Sequence, residues 1–326
     1  MEPSNQFDDD KLRPEEVDHI QETKSPNQAP KVLYRYIIKD VNGDILEKKE
    51  SPIPFKTSLD DKATGLTDQT VLEVVTTQPV SATLGRIDRK YTPSTVVRIH
   101  SLHLVNALRQ VIRYYPGLNL AGLPVMIKDP FMPLVHYMNE LENYKSNHPI
   151  NHDNNYISTT NSHIDILLEF LEQRHGEGLR LERERHRRQP PVATFEYHWL
   201  LFRPGDQIFV LRHDKQDDQE EIQPHIVAFV DYHDPLCKVL DYVMWNIDIS
   251  TEESTLEPYF HTSFIASFDG EKEILSLDLC PRRFLSDYSQ RVQKFIKRGK
   301  KVVSLFEPSY MEYTGATLGI PSFEVC

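Results

Sequence analysis

The stretch TFEYHWLLFRPGDQIFVLRH, residues 194–213, decides how the second half of this chain is read. Phe195, Tyr197, Trp199 and Leu201 occupy alternate positions, the period of a strand with one buried face. Pro204-Gly205-Asp206 has turn chemistry, and QIFVLRH returns as a second apolar run. The same pattern continues downstream in HIVAFVDY, CKVLDYVMWNIDI, HTSFIASF and EILSLDL, the last two flanking Asp269-Gly270 as an expected hairpin. An acidic loop, DKQDDQEE at 214–221, separates two of these runs. The expectation is an antiparallel β-sheet in the C-terminal half.

Upstream the period changes from two to about 3.6. Leu104, Leu108, Val111 and Ile112 form one helical face, with Ser101 as its N-cap and Pro116-Gly117 as its stop. Phe131, Leu134, Val135, Met138 and Leu141 describe a second helix. After the Asn-rich segment KSNHPINHDNNYISTTN, read as a loop, a third helix is expected to open at Ser162, with Asp165 completing a near capping box. A last helix starts near Ser286 and should bury Tyr288, Val292, Phe295 and Ile296.

At the N-terminus, residues 1–30 lack apolar periodicity and read as a disordered leader. Two strand-like runs then flank Asn42-Gly43, a hairpin signal, and VLEVV at 71–75 is a further strand. The layout is a leader at 1–30, a β-hairpin and loop-rich segment at 31–93, and an α+β domain at 94–326, its sheet packed with several amphipathic helices.

Composition narrows the function. Hydrophobic residues make up 39% of 326, enough for a packed core, and the net charge of −12 argues against a protein covered in nucleic-acid-binding surface. Cys237, Cys280 and Cys326 are too scattered for a disulfide framework or a CxxC metal site. The opening residues lack the basic and apolar regions of a secretory signal. These features point to an intracellular protein, cytoplasmic or nuclear, that is neither secreted nor membrane-bound.

Each stretch with candidate chemistry also has a purely structural account. The run FIKRGKKVVSL, residues 295–305, contains Gly299-Lys300, but Lys294 stands where a phosphate loop needs its first glycine and Lys301 where it needs a hydroxyl. HIVAFVDY imitates a Walker B strand, yet Tyr232 follows Asp231 where a catalytic Glu belongs. His148 and His152 are separated by Pro149. His225, His233 and Asp234 lie near Cys237, and Asp231, Asp234 and Asp241 could cluster. Exposed strand ends account for the last set without any chemistry, and no G-x-S-x-G elbow is present.

Between Arg174 and Arg188 six arginines meet three glutamates. Arg183, Arg185, Arg187 and Arg188 are the candidate contacts for a nucleic acid or another acidic partner. The alternative is a solvated helix end, with Glu182–His186 and Glu184–Arg188 as i,i+4 partners and cations at the negative pole of the dipole. No catalytic residue, nucleotide site, metal or cofactor emerges.

Several blocks in order resemble one family: large, mostly fungal AAA+ ATPases that carry an uncharacterised domain ahead of their motor. The blocks are VRIHSLHLVNALRQVIRYYPG, PFMPLVHYMNELENY, HIDILLEFLE with TFEYHWLLFRPGDQIFV, SFDGEKEILSLDLCPRRF, and FIKRGKKVVSLFEPSYMEYTGATL. The resemblance implies a partner module in cis in relatives, an AAA+ ATPase beyond the accessory domain. This sequence reaches Cys326 without a Walker motif, so no ATPase residue carries over; a stand-alone protein, a truncated chain and an excised domain all fit. The expected function is a non-catalytic interaction or regulatory domain with a protein partner. The alternatives are a nucleic-acid-binding module using residues 180–188, or a fragment of an ATP-hydrolysing protein whose motor lies beyond residue 326.

Overall fold

The computed structural model describes residues 31–40, 42–54, 70–79, 93–212, 221–232, 238–250 and 255–304. The expected leader at 1–30, most of the acidic loop, and His233, Asp234 and Cys237 lie outside these residues. The fold is α+β, as the periodicities imply. Strands β1 (Val32–Lys39) and β2 (Ile45–Ser51) form the expected hairpin, with Gly43 at φ 91°, a backbone region costly for a residue with a Cβ. β3 (Leu72–Pro79) runs parallel to β1, and β4 (Ser94–Ile99) pairs antiparallel with β3, Val74 opposite Val97. β5 (Val125–Lys128) closes a first sheet of order β2-β1-β3-β4-β5.

Helix α1 (Leu102–Val111) follows β4. Its cap is the one expected: Ser101 Oγ accepts the Leu104 N–H at 3.1 Å. Leu104, Leu108 and Ile112 are buried. The second expected helix is broken into α2 (Met132–His136) and α3 (Met138–Tyr144), with a non-helical Tyr137 between them. Phe131 precedes them in the left-handed region, φ 57°, and is wedged against Phe170 and His175 at ring separations of 5.4 and 5.7 Å. Burial of its ring offsets an unfavourable backbone.

The third helix differs most from expectation. α4 (Asn154–His186) starts eight residues before Ser162, and Asp153 is its cap, accepting the Tyr156 N–H at 2.7 Å. The second half of the Asn-rich segment, from Asn154, is helical because the fold gives it something to pack on. Thr160 is fully buried against α1, within 3.3 Å of His103 Nδ1. Such tertiary contacts override weak helix propensity. At 1.5 Å per residue the helix is about 50 Å long.

Residues 195–201 are not a strand. After the short β6 (Val192–Thr194) the chain makes a 3-10 turn at His198–Leu201. The buried side chains are Phe195, His198, Trp199, Leu201 and Phe202. That spacing fits one helical face as well as strand alternation, and the tighter turn puts all five into the core. β7 (Gln207–Arg212) therefore does not return against residue 195. It pairs with β8 (Glu221–Tyr232), and β9 (Val239–Ile249) and β10 (Leu256–Ala266) complete the meander.

The expected hairpin around Asp269-Gly270 is absent as well. Gly270 turns the chain so that β11 (Glu271–Glu273) pairs with β6 and β12 (Leu279–Pro281) with β7. The apolar residues Ile274 and Leu279, read as one strand, are thereby sent into the core from two short elements. The second sheet has the order β10-β9-β8-β7-β12 and is wholly antiparallel. One continuous core runs from Leu72 and Val97 of the first sheet through Leu167 and Trp199 to Tyr242 and Met244 of the second. Helix α5 (Tyr288–Ser304) closes the described chain.

Candidate interaction surface

Strand register defines the two faces of the second sheet. Ile208, Val227, Val230, Tyr242 and Met244 point into the core. Their neighbours point the other way. Phe209 lies opposite Pro224, Ile226 opposite Trp245, and Trp245 opposite Phe260, so these side chains share the outer face. A β-bulge between Val227 and Phe229 keeps Phe229 and Val243 on that face as well.

Helix α5 divides this face into a covered and an open part. At the β7 end, α5 covers it: Tyr288 and Phe295 lie against Phe209, each with ring centroids 6.0 Å away, and the Tyr288 hydroxyl donates to Gln207 Oε1 at 2.8 Å. Phe209 is buried as a result. At the β10 end nothing described covers it. Phe260 and Phe264 are each 67% exposed and Ile247 is 62% exposed, with Leu256 and Ile249 also open and Trp245 half-buried beside them. A contiguous apolar stripe of this kind on a rigid sheet is the usual mark of a binding surface. The far edge of β10 pairs with no described strand.

Helix α5 makes less of a core than the sequence suggests. None of its residues is buried, and Ile296 is among the exposed ones. The helix runs through Gly299, so the Gly-Lys pair stands in a helix interior rather than in the loop preceding one. Its 17 residues carry six cations (Arg291, Lys294, Lys297, Arg298, Lys300 and Lys301) and no acid.

The arginines singled out by sequence lie at the end of α4, and two of them are engaged. Arg185 Nε donates to Glu271 Oε1 and Arg188 Nη1 to Glu271 Oε2, both at 2.7 Å, and Arg185 also reaches Glu182. Arg183 and Arg187 are exposed, with no ion-pair partner among the described residues. Glu184 pairs with Arg180 rather than with Arg188, while Glu182 and His186 meet at 3.4 Å as expected. Burial pushes the Glu182 carboxyl up. Hydrogen bonds from His186 and from the Thr194 N–H and hydroxyl outweigh that and hold it below the usual carboxylate range. This end of α4 acts as a clamp fastening β6 and β11 to the helix.

The remaining candidates do not converge on a reaction. His148 and His152 approach to 3.4 Å between Nδ1 atoms in a ring stack with Tyr144 and Tyr156, and no described group of three His, Cys, Asp or Glu residues could hold a metal. Asp231 and Asp241 face each other across β8 and β9 on the outer face, while His225 lies on the core side, opposite Ile208. Cys280 is buried, and burial raises its thiol to about 11. An open cleft of about 530 Å³ at the end of α1, beside Arg109, Arg113 and Tyr115, holds no catalytic pairing. The exposed stripe was missed by sequence because its residues read equally well as a sheet core.

The arrangement is that of an α+β domain whose second sheet is buried on one face and half-covered on the other. Residues 183–286 match a domain of unknown function (DUF7025). The match takes in the end of α4 and every strand of the second sheet. No curated protein and no solved structure matches the chain. No helix among the described residues is long and apolar enough to cross a membrane.

Proposed function

We propose that this chain is a non-catalytic interaction domain that binds a protein partner through the outer face of its second sheet. The observation that carries the reading is the stripe of Phe260, Phe264, Ile247 and Leu256, left open beside the face that α5 covers. Burying such side chains on a preformed sheet supplies affinity with little ordering cost. The resemblance of the chain to an uncharacterised region ahead of AAA+ motors supports the same reading by analogy, since N-terminal modules of such motors commonly supply substrates and addresses. In relatives with a motor in cis, the same placement suits a regulatory role.

The test is covalent surface labelling of the protein in buffer and in its native cell extract. Labelling at Phe260, Phe264 and Ile247 is expected to fall in the extract, while the fully exposed Ile150 stays unchanged. Equal labelling of the stripe in both settings, by a chain that also stays monomeric at high concentration, would refute the reading.

A further inference from the structure

We infer that the edge of β10 pairs with β10 of a second copy of this chain, antiparallel about a twofold axis at Thr262. The inference rests on the interaction-domain reading and names the partner.

The backbone of β10 shows which of its groups are free. At one end of its ladder the Ser267 N–H donates to Lys238 O at 2.6 Å; at the other, Thr255 O accepts the Ser250 N–H at 2.8 Å. Ser267 and Thr255, which flank β10, are both odd-numbered. Alternation along a strand therefore turns the N–H and C=O groups of Phe260, Thr262 and Phe264 away from β9, toward the open edge. Pro258, which has no N–H to lose, shares that parity, as an edge proline should. Of the usual devices that prevent strand addition, the eleven-residue edge carries only Pro258 and the charge of Glu257, both toward one end; it has no lysine, arginine or bulge.

The side chains are self-complementary in the register centred on Thr262. An axis at Thr262 sets Phe260 against the partner's Phe264 and Phe264 against the partner's Phe260, both pairs on the outer face. It sets Tyr259 against the partner's Ile265 and Thr262 against its own copy. Aromatic, aromatic–β-branched and Thr–Thr pairs are the favourable cross-strand combinations. Shifting the axis to His261 or Ser263 loses the Phe–Phe pairs. Glu257 is the single acid in β10; it falls opposite the partner's Ser267, whose neighbour on β9 is the partner's Lys238, so unlike charges approach twice and like charges do not meet.

Three residue pairs exchange roughly six backbone hydrogen bonds. Each phenylalanine keeps two-thirds of its surface open. At about 150–250 Å² per aromatic side chain, the four rings offer roughly 400–670 Å². That alone is below the ~1,200–2,000 Å² of stable interfaces, and the strand edges, Leu256 and Tyr259 add to it. A small contact of this kind calls for measurement up to high protein concentration.

Sedimentation equilibrium on the purified full chain, from about 1 to 200 µM, tests this directly. A monomer–dimer equilibrium is expected. Thr262→Pro removes an edge N–H that β9 does not use, and should weaken the dimer at least about tenfold with the melting temperature nearly unchanged. Phe260→Ser with Phe264→Ser should do the same through lost side-chain pairing. A chain that stays monomeric throughout the range overturns the inference, as does a dimer indifferent to both variants. If the chain is monomeric yet its stripe is protected in extract, the second copy fails as partner while the interaction-domain reading stands; loss of both sinks that reading too.

Discussion

Phe295 of α5 lies nearly parallel to Phe209 of β7, with an interplanar angle of 26°. The contact pins the last helix to the outer face of the second sheet, and Tyr288 flanks the same ring. It explains how a helix without one buried residue keeps a fixed place.

Phe295→Ala should therefore release the helix without unfolding the sheet. The ring is half-buried, so the expected loss is on the order of 1–2 kcal/mol, less than for a core phenylalanine. Trypsin should cut faster at Lys297, Lys300 and Lys301, while the β-sheet signal in circular dichroism is retained. A cleavage pattern identical to wild type would show that the stack does not hold the helix.

Gly178 stands inside α4, where alanine would ordinarily be favoured by about 1 kcal/mol. Here a Cβ would come 2.0 Å from the Tyr197 hydroxyl and 2.5 Å from its Cζ. The ring would have to move away from its place beside Trp199, 6.5 Å between centroids. Gly178→Ala is expected to destabilise by on the order of 1–3 kcal/mol in urea titration, and adding Tyr197→Ala should relieve the clash. A more stable single variant would contradict the geometry.

Two buried histidines set the pH response. His198 is fully buried, its Nδ1 is 2.5 Å from the Tyr242 hydroxyl, and burial lowers its pKa to about 3. His136 donates from Nε2 to Trp199 O and accepts from the Tyr115 hydroxyl, and burial lowers it to about 4. Both folded-state values lie below the unfolded value of 6.5, so the unfolded chain takes up protons first as pH falls. Their neutral burial stabilises fully above pH 6.5 and is lost as pH drops toward 4 and 3. For His198 the loss is on the order of 2–4 kcal/mol. Melting temperatures between pH 7 and 4 should fall steeply in wild type and less steeply in His198→Phe; parallel curves would count against this assignment.

Glu271 holds Arg185 and Arg188 with one oxygen each, and those hydrogen bonds keep its carboxyl below the usual range. The arginine-rich end of α4 should consequently show no salt-sensitive binding of duplex DNA at about micromolar protein. Glu271→Gln removes the charge that neutralises Arg188 and leaves Arg185 on Glu182 alone, and should produce weak binding that disappears as salt is raised. Strong salt-dependent binding by the unmodified protein would revive the nucleic-acid reading.

Much of this was legible in the sequence. Local pattern set the α+β class, the β1–β2 hairpin at Asn42-Gly43, the Ser101 cap and the presence of strands between residues 207 and 266, though not the order in which those strands pair. These are local properties: a turn needs its glycine, a cap its hydroxyl, and a strand its alternation, wherever the chain later packs. The failures have a common cause. Phe195 to Phe202 satisfies both a period of two and a helical face, and only the core that it meets selects the turn. The start of α4 at Asn154 depends on α1 receiving Thr160, 57 positions from His103. The outer stripe is the clearest case. Phe209 and Phe260 are the same residue type in strands of one sheet, and the sequence does not tell them apart. One is covered by α5 and the other is not, a distinction made by where a distant helix comes to rest.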